Sequence, residues 1–293
     1  MAMLKGESTM KKFSLIGLGL IVAGGIVFSI GYAKADQSIT DIFFSRNMDK
    51  TYTKPVKAYD KISAYGNINL TIKSGGKFSI TSTDSKDHPL EYKVQNNTLE
   101  LRQDNNESSF STNFQMGELS RLSFVTVTVP SHQLTKVDGL DNRFSLKIKH
   151  YSNKLPMDIT GWGNVKIKDA NAKSIRVRGI EDRVSVVDST FNGDASQIYA
   201  GDNYVYLHNS SFKSLEVRAI NGDVNIDRPT IESHLSVTTD TGNIFAQLKK
   251  SEDAQLDVKT SGPKPAVKTA TKAVNTDKQY RFKSNTGTIT VLE

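Results

Sequence analysis

The sequence feature that most constrains the fold is a repeat of short alternating triplets, spaced about twenty residues apart. The first set advances in steps of 19, 20, 20 and 20 residues, at Val165/Ile167, Val184/Val186, Tyr204/Tyr206, Val224/Ile226 and Ile244/Ala246. A second set lies between them in steps of twenty, at Ile175/Val177, Ala195/Gln197, Leu215/Val217 and Leu235/Val237. Alternation with a period of two is typical of a strand with one buried face. The sequence therefore predicts two strands per repeat.

A fixed period of this length is typical of a solenoid. Propeller blades need about twice that length, and the asparagine ladder of leucine-rich repeats is absent from the sequence. Gly, Asn and Asp residues between the triplets supply turns, and no stretch after residue 40 has convincing helical spacing. We therefore predict an all-β domain, a parallel β-helix or β-solenoid or a closely related stacked β-sheet prism, with the number of sheets left open.

The segment INGDVNIDRPTIESHLSVTTDTGNIFAQL, residues 220–248, raises the question of a calcium site because Asp223, Asn225 and Asp227 alternate in it. An EF-hand loop needs a glycine directly after its third ligand, whereas Arg228 and Pro229 stand there. Alternating polar residues are also what the solvated face of a strand presents. We predict a structural rung here, and no metal site and no cofactor in the chain.

The N-terminal segment determines the predicted location. Residues 13–33 contain no charged residue, and a helix of that length spans about 30 Å, the thickness of the bilayer interior. Lysines before this segment favour a cytoplasmic N-terminus. The sequence therefore predicts a single-pass transmembrane anchor in the cell membrane with an extracytoplasmic C-terminal domain. The alternative is a signal peptide cleaved at Ala35, which would give a secreted protein.

These patterns predict a cytoplasmic N-terminus at 1–12, the membrane segment at 13–33, a juxtamembrane linker at 34–57 and the β-solenoid at 58–293. Two inserted loops are predicted within the solenoid, near 104–120 and 259–283. Residues 36–293 contain 34 basic and 30 acidic residues, a net charge of +4, which is sparse for a nucleic-acid-binding domain. The sequence predicts no nucleic-acid partner, and anionic wall polymer or lipid fits an exported basic protein better.

Three features predict contact surfaces. The insertion carries an excess of basic residues that would touch an anionic polymer or lipid, among them Lys264, Lys268 and Lys272. Val205 and Leu207 are predicted to face outward, opposite Tyr204 and Tyr206, and to be covered by a loop or a partner. The strand pattern at 288–293 ends the chain without a cap, which predicts a homo-oligomer or a docked partner at the C-terminal edge.

Catalytic constellations are not recognisable in the sequence. There is no cysteine, and the five histidines are scattered without the spacing of metal ligands. Adjacent acids such as Glu181 and Asp182 would point to opposite faces of a strand, which does not suit paired-carboxylate hydrolysis. We therefore expect that the protein is not an enzyme, with a wall-polysaccharide hydrolase as the weakest alternative.

A resemblance to a known family covers most of residues 58–291. It depends on the stretches AYGNINLTIKSGGKFSI, LEYKVQNNTLELRQ, VTVTVPSHQLTKV, SLEVRAINGDVNI, LSVTTDTGNI and SNTGTITV, with a recurrent S-x-x-G-D/N/T-V/I phrase. In these residues the chain resembles the bacterial "putative adhesin" family, whose members have toastrack-type β-strand repeats and often an N-terminal membrane segment. The resemblance implies an adhesin-like protein linked to the Gram-positive cell envelope, and it supplies no catalytic residue.

Together these observations predict a non-catalytic, membrane-anchored β-solenoid outside the cytoplasm. We expect it to contact a membrane regulator or an anionic wall polymer in envelope stress sensing. The alternative is a secreted or surface-displayed adhesin.

Overall fold

A computed structural model of the protein describes residues 50–84, 89–103, 123–140, 144–179, 183–202, 204–249, 254–268 and 277–293. These residues contain strands and turns and no helix. The first twelve strands are β1 (Lys50–Pro55), β2 (Lys61–Tyr65), β3 (Ile68–Ser74), β4 (Ser79–Asp84), β5 (Glu91–Gln95), β6 (Thr98–Arg102), β7 (Ser123–Val129), β8 (Lys136–Gly139), β9 (Ser145–Lys149), β10 (Met157–Gly161), β11 (Val165–Lys168) and β12 (Ile175–Gly179). The remaining strands are β13 (Val184–Val187), β14 (Thr190–Ala200), β15 (Val205–His208), β16 (Ser211–Ala219), β17 (Val224–Asp227), β18 (Thr230–Ile231), β19 (His234–Thr239), β20 (Ile244–Gln247), β21 (Gln255–Thr260), β22 (Ala266–Lys268), β23 (Gln279–Ser284) and β24 (Ile289–Leu292).

The strands form two twelve-stranded sheets. Sheet A has the order β1-β4-β7-β3-β9-β11-β13-β15-β17-β20-β24-β22. Sheet B has the order β21-β23-β19-β16-β14-β12-β10-β8-β2-β6-β5, with β18 paired to β16. From β11 to β20, apart from the short β18, successive strands alternate between the two sheets, and each pairs in parallel with its neighbours in its own sheet. The predicted all-β class with long parallel sheets and two main strands per repeat is confirmed.

The core consists of the inward side chains of these strands. In sheet A, Val165, Val184, Val205, Val224 and Ile244 stand in one row, and each is almost fully buried. Their spacing along the chain is 19, 21, 19 and 20 residues. The predicted rungs at 165, 184, 224 and 244 are therefore confirmed, whereas the rung at 204 is shifted by one residue.

The second predicted set contains a similar shift. Val177 pairs with Ile198, which pairs with Val217, so the inward residues of this rung include Ile198 and Ala200. The predicted Ala195 and Gln197 are exposed instead. In β14 the pairing register with β16 changes by two residues between Phe191 and Ala195, where the separation of paired residues falls from 21 to 19. The residues that follow therefore stand one position away from where a uniform step of twenty places them, and a displacement of one position exchanges the two faces of a strand.

Both ends of the described sheets differ from the predictions. Residues 50–55 form β1, which pairs antiparallel with β4, so the linker predicted for 34–57 is wrong for that part. At the other end β24 lies between β20 and β22, and β23 lies between β19 and β21. The C-terminal strand is therefore not a bare edge, because part of the insertion predicted as a loop folds as a further rung.

Several predicted features lie outside the described residues. Among them are the N-terminus at 1–12, the membrane segment at 13–33, the loop at 104–120 and the acidic pair at 181–182. In the described ranges no helix has the length and hydropathy needed to cross a membrane.

Candidate binding surface

The predicted contact residues of β15 do not lie on the surface. Val205 is 0% exposed and Leu207 1% exposed, so the prediction that both face outward is wrong. The physical reason is the shift of one residue described above, since a strand slipped by one position exchanges its two faces. Tyr204 and Tyr206 instead point away from the core and are half-buried.

The predicted basic contacts of the insertion remain separate from the other surfaces described below. Lys264 and Lys268 are exposed, and Lys268 is the last residue of β22, the edge strand of sheet A. Lys272 lies outside the described residues. The role of these lysines in binding stays a prediction.

A group of lysines on the outer face of sheet A was not predicted from the sequence. Its members, which we call the lysine patch, are Lys73, Lys147, Lys149, Lys166 and Lys168. They come from three neighbouring strands, β3, β9 and β11, that contain no Asp or Glu. Lys73 and Lys166 are exposed, and the other three are half-buried.

The pairing register places these lysines side by side. Lys147 is directly opposite Lys166, and Lys149 lies between Lys73 and Lys168. A polyanion would be attracted to this arrangement, because several phosphate or carboxylate groups would lie close to several ammonium groups at once. The lysine patch is therefore the best candidate for an anion-binding surface on sheet A.

An aromatic row follows the lysine patch on the same face, three strands away from the centre of the patch. The rings of Tyr204 and Tyr206 are 6.3 Å apart with an interplanar angle of 13°, and those of Tyr206 and His208 are 6.1 Å apart at 7°. The guanidinium carbon of Arg183 lies 5.3 Å from the centre of the Tyr204 ring. These contacts hold the exposed edge of the rung in one arrangement.

The aromatic row ends in a charged cluster. His208 Nδ1 lies 2.7 Å from Asp227 Oδ2, and Arg228 donates from Nε to Asp227 Oδ1 at 3.2 Å. Partial burial would by itself raise the pKa of Asp227, but the hydrogen bonds from Arg228 and His208 and the charge of Arg228 lower it below its ordinary value. Burial, followed by the negative charge of Asp227, raises the pKa of Tyr206.

The lowered pKa of Asp227 gives a prediction for acid stability. A carboxyl group whose pKa is lower in the folded state stabilises that state above its unfolded pKa, here about 3.8, and the contribution is lost as the pH falls through the folded value. Asp227→Asn should therefore lose less stability than the wild type between about pH 5 and pH 2. Urea unfolding at a series of pH values measures this difference. Equal losses in both proteins would contradict the prediction.

The structural interpretation of residues 220–248 is confirmed. Val224 and Ile226 are buried in β17, while Asp223 is exposed. Asp223 Oδ1 accepts hydrogen bonds from Asn243 N at 2.7 Å and from Asn243 Nδ2 at 3.1 Å. These polar side chains thus connect neighbouring rungs at a turn. Within the described ranges no group of three or more His, Cys, Asp or Glu side chains is arranged to hold a metal ion.

Comparisons with known proteins agree with this architecture. The family model Toastrack DUF4097 matches residues 59–292. A crystal structure described as a "putative adhesin" from Bacteroides fragilis is similar, with a TM-score of 0.54, 17% identity, and coverage of 83% of this chain and 96% of that chain. A second "putative adhesin", from Parabacteroides distasonis, has a TM-score of 0.51, 12% identity and the same coverages, 83% and 96%.

At these identities the two solved structures show a shared fold. No curated protein matches the chain. The family model, in contrast, covers nearly the whole of the region where the sequence resemblance was found. The chain therefore belongs to the Toastrack DUF4097 family.

Proposed function

We propose that the protein is a non-catalytic binding module, anchored in the cell membrane by its N-terminal segment, that contacts an anionic cell-wall polymer from outside the cytoplasm. The observation that carries this proposal is the lysine patch. Lys73 on β3 and Lys166 and Lys168 on β11 place positive charges on the two sides of β9, and none of these three strands contains an acidic residue. A polymer with a negative charge in every repeat unit would lie along such a surface and contact several strands together.

The membrane part of the proposal is supported by the sequence. The uncharged run at 13–33 is long enough to cross a bilayer and follows basic residues. In this arrangement the sheets lie close to the wall, where a change in polymer structure would change the occupancy of the lysine patch. If a membrane regulator bound the polymer-free and the polymer-bound protein differently, the protein would take part in envelope stress sensing.

The second candidate is a secreted or surface-displayed adhesin, released by cleavage at Ala35. It is favoured by the similarity to structures that are themselves described as adhesins. Mass determination of the N-terminus of the protein recovered from cells and from the medium distinguishes the two. A mature N-terminus at Asp36 in the medium would support the adhesin, and an intact chain in the membrane fraction would support the anchored module.

The lysine patch predicts salt-sensitive binding of a phosphate polymer. We expect the full-length protein, purified in a mild detergent, to bind immobilised poly(glycerol phosphate). The triple variant Lys73→Gln, Lys166→Gln, Lys168→Gln should bind at least about tenfold more weakly, since it removes three cations from one polymer path. Binding by the wild type should weaken as NaCl is raised, because the lysines are solvent-accessible. Surface plasmon resonance at several salt concentrations measures both effects.

The matched control removes three exposed lysines elsewhere, in Lys57→Gln, Lys61→Gln, Lys213→Gln. This variant has the same net charge as the first, so it should retain most of the affinity if the location of the charge matters. Equal weakening in the two variants would show that only net charge acts and would overturn the assignment to the lysine patch. Absence of wild-type binding to poly(glycerol phosphate) would overturn the polymer proposal itself.

A further inference from the structure

The outer face of sheet B carries an exposed tyrosine between two arginines. Arg178 on β12 pairs in register with Tyr199 on β14, and Tyr199 pairs with Arg218 on β16. Since neighbouring strands are about 4.8 Å apart, the two arginines leave their strands roughly 10 Å from each other, with the phenol ring between them. Tyr199 is 37% exposed.

Within the described residues, the ring of Tyr199 makes no aromatic or cation–π contact and the guanidinium group of Arg218 makes no ion pair. Cations do lie over the rings of Tyr52, Tyr65, Tyr92 and Tyr204. Arg178 Nη2 is 4.0 Å from Asp158 Oδ2. Both arginines therefore keep donors for a ligand, and Tyr199 keeps a free ring face.

Beside this triplet lies a shallow groove of about 500 Å³. One wall is a row of polar side chains in which Arg176 Nε donates to Gln197 Oε1 at 3.2 Å, and Gln197 Nε2 donates to Glu216 Oε2 at 3.1 Å. The amide and the carboxylate in this row are fixed by these bonds and retain lone pairs for hydroxyl groups. Val177 and Ile198 form part of the lining between the walls.

We propose that this groove is a second binding site and that it takes an anionic sugar chain. A pyranose ring would lie against the apolar face of Tyr199, while carboxylate or phosphate groups on neighbouring sugars would pair with Arg178 and Arg218. Guanidinium groups suit this role because they bind such oxygens through two parallel hydrogen bonds. Sugar hydroxyls would donate to Gln197 and Glu216.

A simple acidic peptide fits the groove less well. Glu216 would repel a dense run of carboxylates, and such a peptide would leave the Tyr199 ring without a partner. The site also lies on the other sheet from the lysine patch and has a different composition, so this inference does not depend on the proposed function.

The test is calorimetric titration of the full-length protein with a mannuronate decasaccharide, which supplies both rings and carboxylates. Tyr199→Ala and Arg218→Gln should each weaken binding about tenfold or more, as expected for the loss of a ring contact or a charge-assisted hydrogen bond. Tyr199→Phe should keep most of the affinity because the ring face remains. A dextran oligosaccharide, which has rings and no charge, should bind at least tenfold more weakly than the mannuronate.

The matched control is Arg281→Gln, which removes one positive charge from the same sheet. Arg281 Nε is already 3.3 Å from Asp257 Oδ2, so this variant should bind like the wild type. If Arg281→Gln lost as much affinity for mannuronate as Arg218→Gln, the effect would come from net charge alone, and the proposed site would be overturned. Poly-L-glutamate binding as tightly as mannuronate would replace the sugar by an acidic protein segment, and no mannuronate binding would overturn the proposal outright.

Experiments can also distinguish the groove on sheet B from the lysine patch on sheet A. The triple lysine variant of sheet A, which removes any binding of mannuronate to the lysine patch, should still bind mannuronate, and adding Arg218→Gln to it should weaken the remaining binding about tenfold or more. If that variant loses mannuronate binding while Arg218→Gln keeps it, the anionic sugar lies on the lysine patch, and the site on sheet B is overturned.

Discussion

Replacing Val205 by lysine should lower the free energy of unfolding by about 3–5 kcal/mol, the cost of leaving an unpaired charge in a packed interior. Val205 is 0% exposed and pairs in register with Val184 on one side and Val224 on the other. Its environment therefore consists of aliphatic side chains, and the lysine would have to remain neutral or displace the rung. Urea unfolding of the full-length protein, followed by far-ultraviolet circular dichroism, measures the loss.

The neighbouring position supplies the control. Tyr206→Lys changes a half-buried side chain on the outer face, and it removes ring contacts with Tyr204 and His208 that contribute about 1 kcal/mol. Its cost should therefore be well below that of Val205→Lys. The reverse order would mean that Tyr204 and Tyr206 face the core, as a uniform step of twenty residues predicts.

The positions of these two variants also mark the point at which the sequence no longer predicts which side chains are buried. The strand class, the period and the rungs at 165, 184, 224 and 244 follow from local alternation, because the solenoid repeats the same burial at each turn. At β15, however, the sequence Tyr-Val-Tyr-Leu of residues 204–207 is apolar on both faces. The alternation of side chains therefore does not show which face of this strand is buried. The buried face is determined by the register in which β15 pairs with β13 and β17.

The lysine patch was missed for a related reason. Polar and aliphatic residues alternate in β3, β9 and β11, so the outward direction of each lysine was available from the sequence. Their adjacency was not, because β3 precedes β9 by about seventy residues and yet pairs with it directly. The intervening β7 lies on the other side of β3. A chain that returns to an earlier strand in this way leaves no local trace in the sequence.

The recurrent S-x-x-G phrase, in contrast, was found from the sequence, and its physical basis is visible in the structure, where threonine also occupies the first position and extends the phrase to S/T-x-x-G. Thr239 Oγ1 accepts a hydrogen bond from Gly242 N at 3.1 Å and donates to Gly222 O at 3.2 Å. Ser284 Oγ repeats this one rung further, accepting from Gly287 N at 2.9 Å and donating to Gly242 O at 3.0 Å. Each hydroxyl thus closes its own turn and joins it to the previous one.

This stacking requires glycine, and it gives the second prediction of large effect. A Cβ atom added at Gly242 would lie 2.0 Å from the carbonyl oxygen of Gly222, which is far inside van der Waals contact. The obstacle is backbone, so it cannot move away as a flexible side chain would. Gly242→Ala should therefore lower the free energy of unfolding by about 2–3 kcal/mol, in the upper part of the range for overpacked sites.

Gly76→Ala is the matched control, since an added Cβ there meets no atom within 4 Å. It should raise the stability by about 0.4–1 kcal/mol, because alanine restricts the unfolded chain more than glycine does. Urea unfolding of both variants beside the wild type tests the difference in sign. If Gly242→Ala were as stable as Gly76→Ala, the turns would not be stacked as closely as the hydroxyl bonds indicate. The S/T-x-x-G phrase would then reflect turn formation within a rung, without contact between rungs.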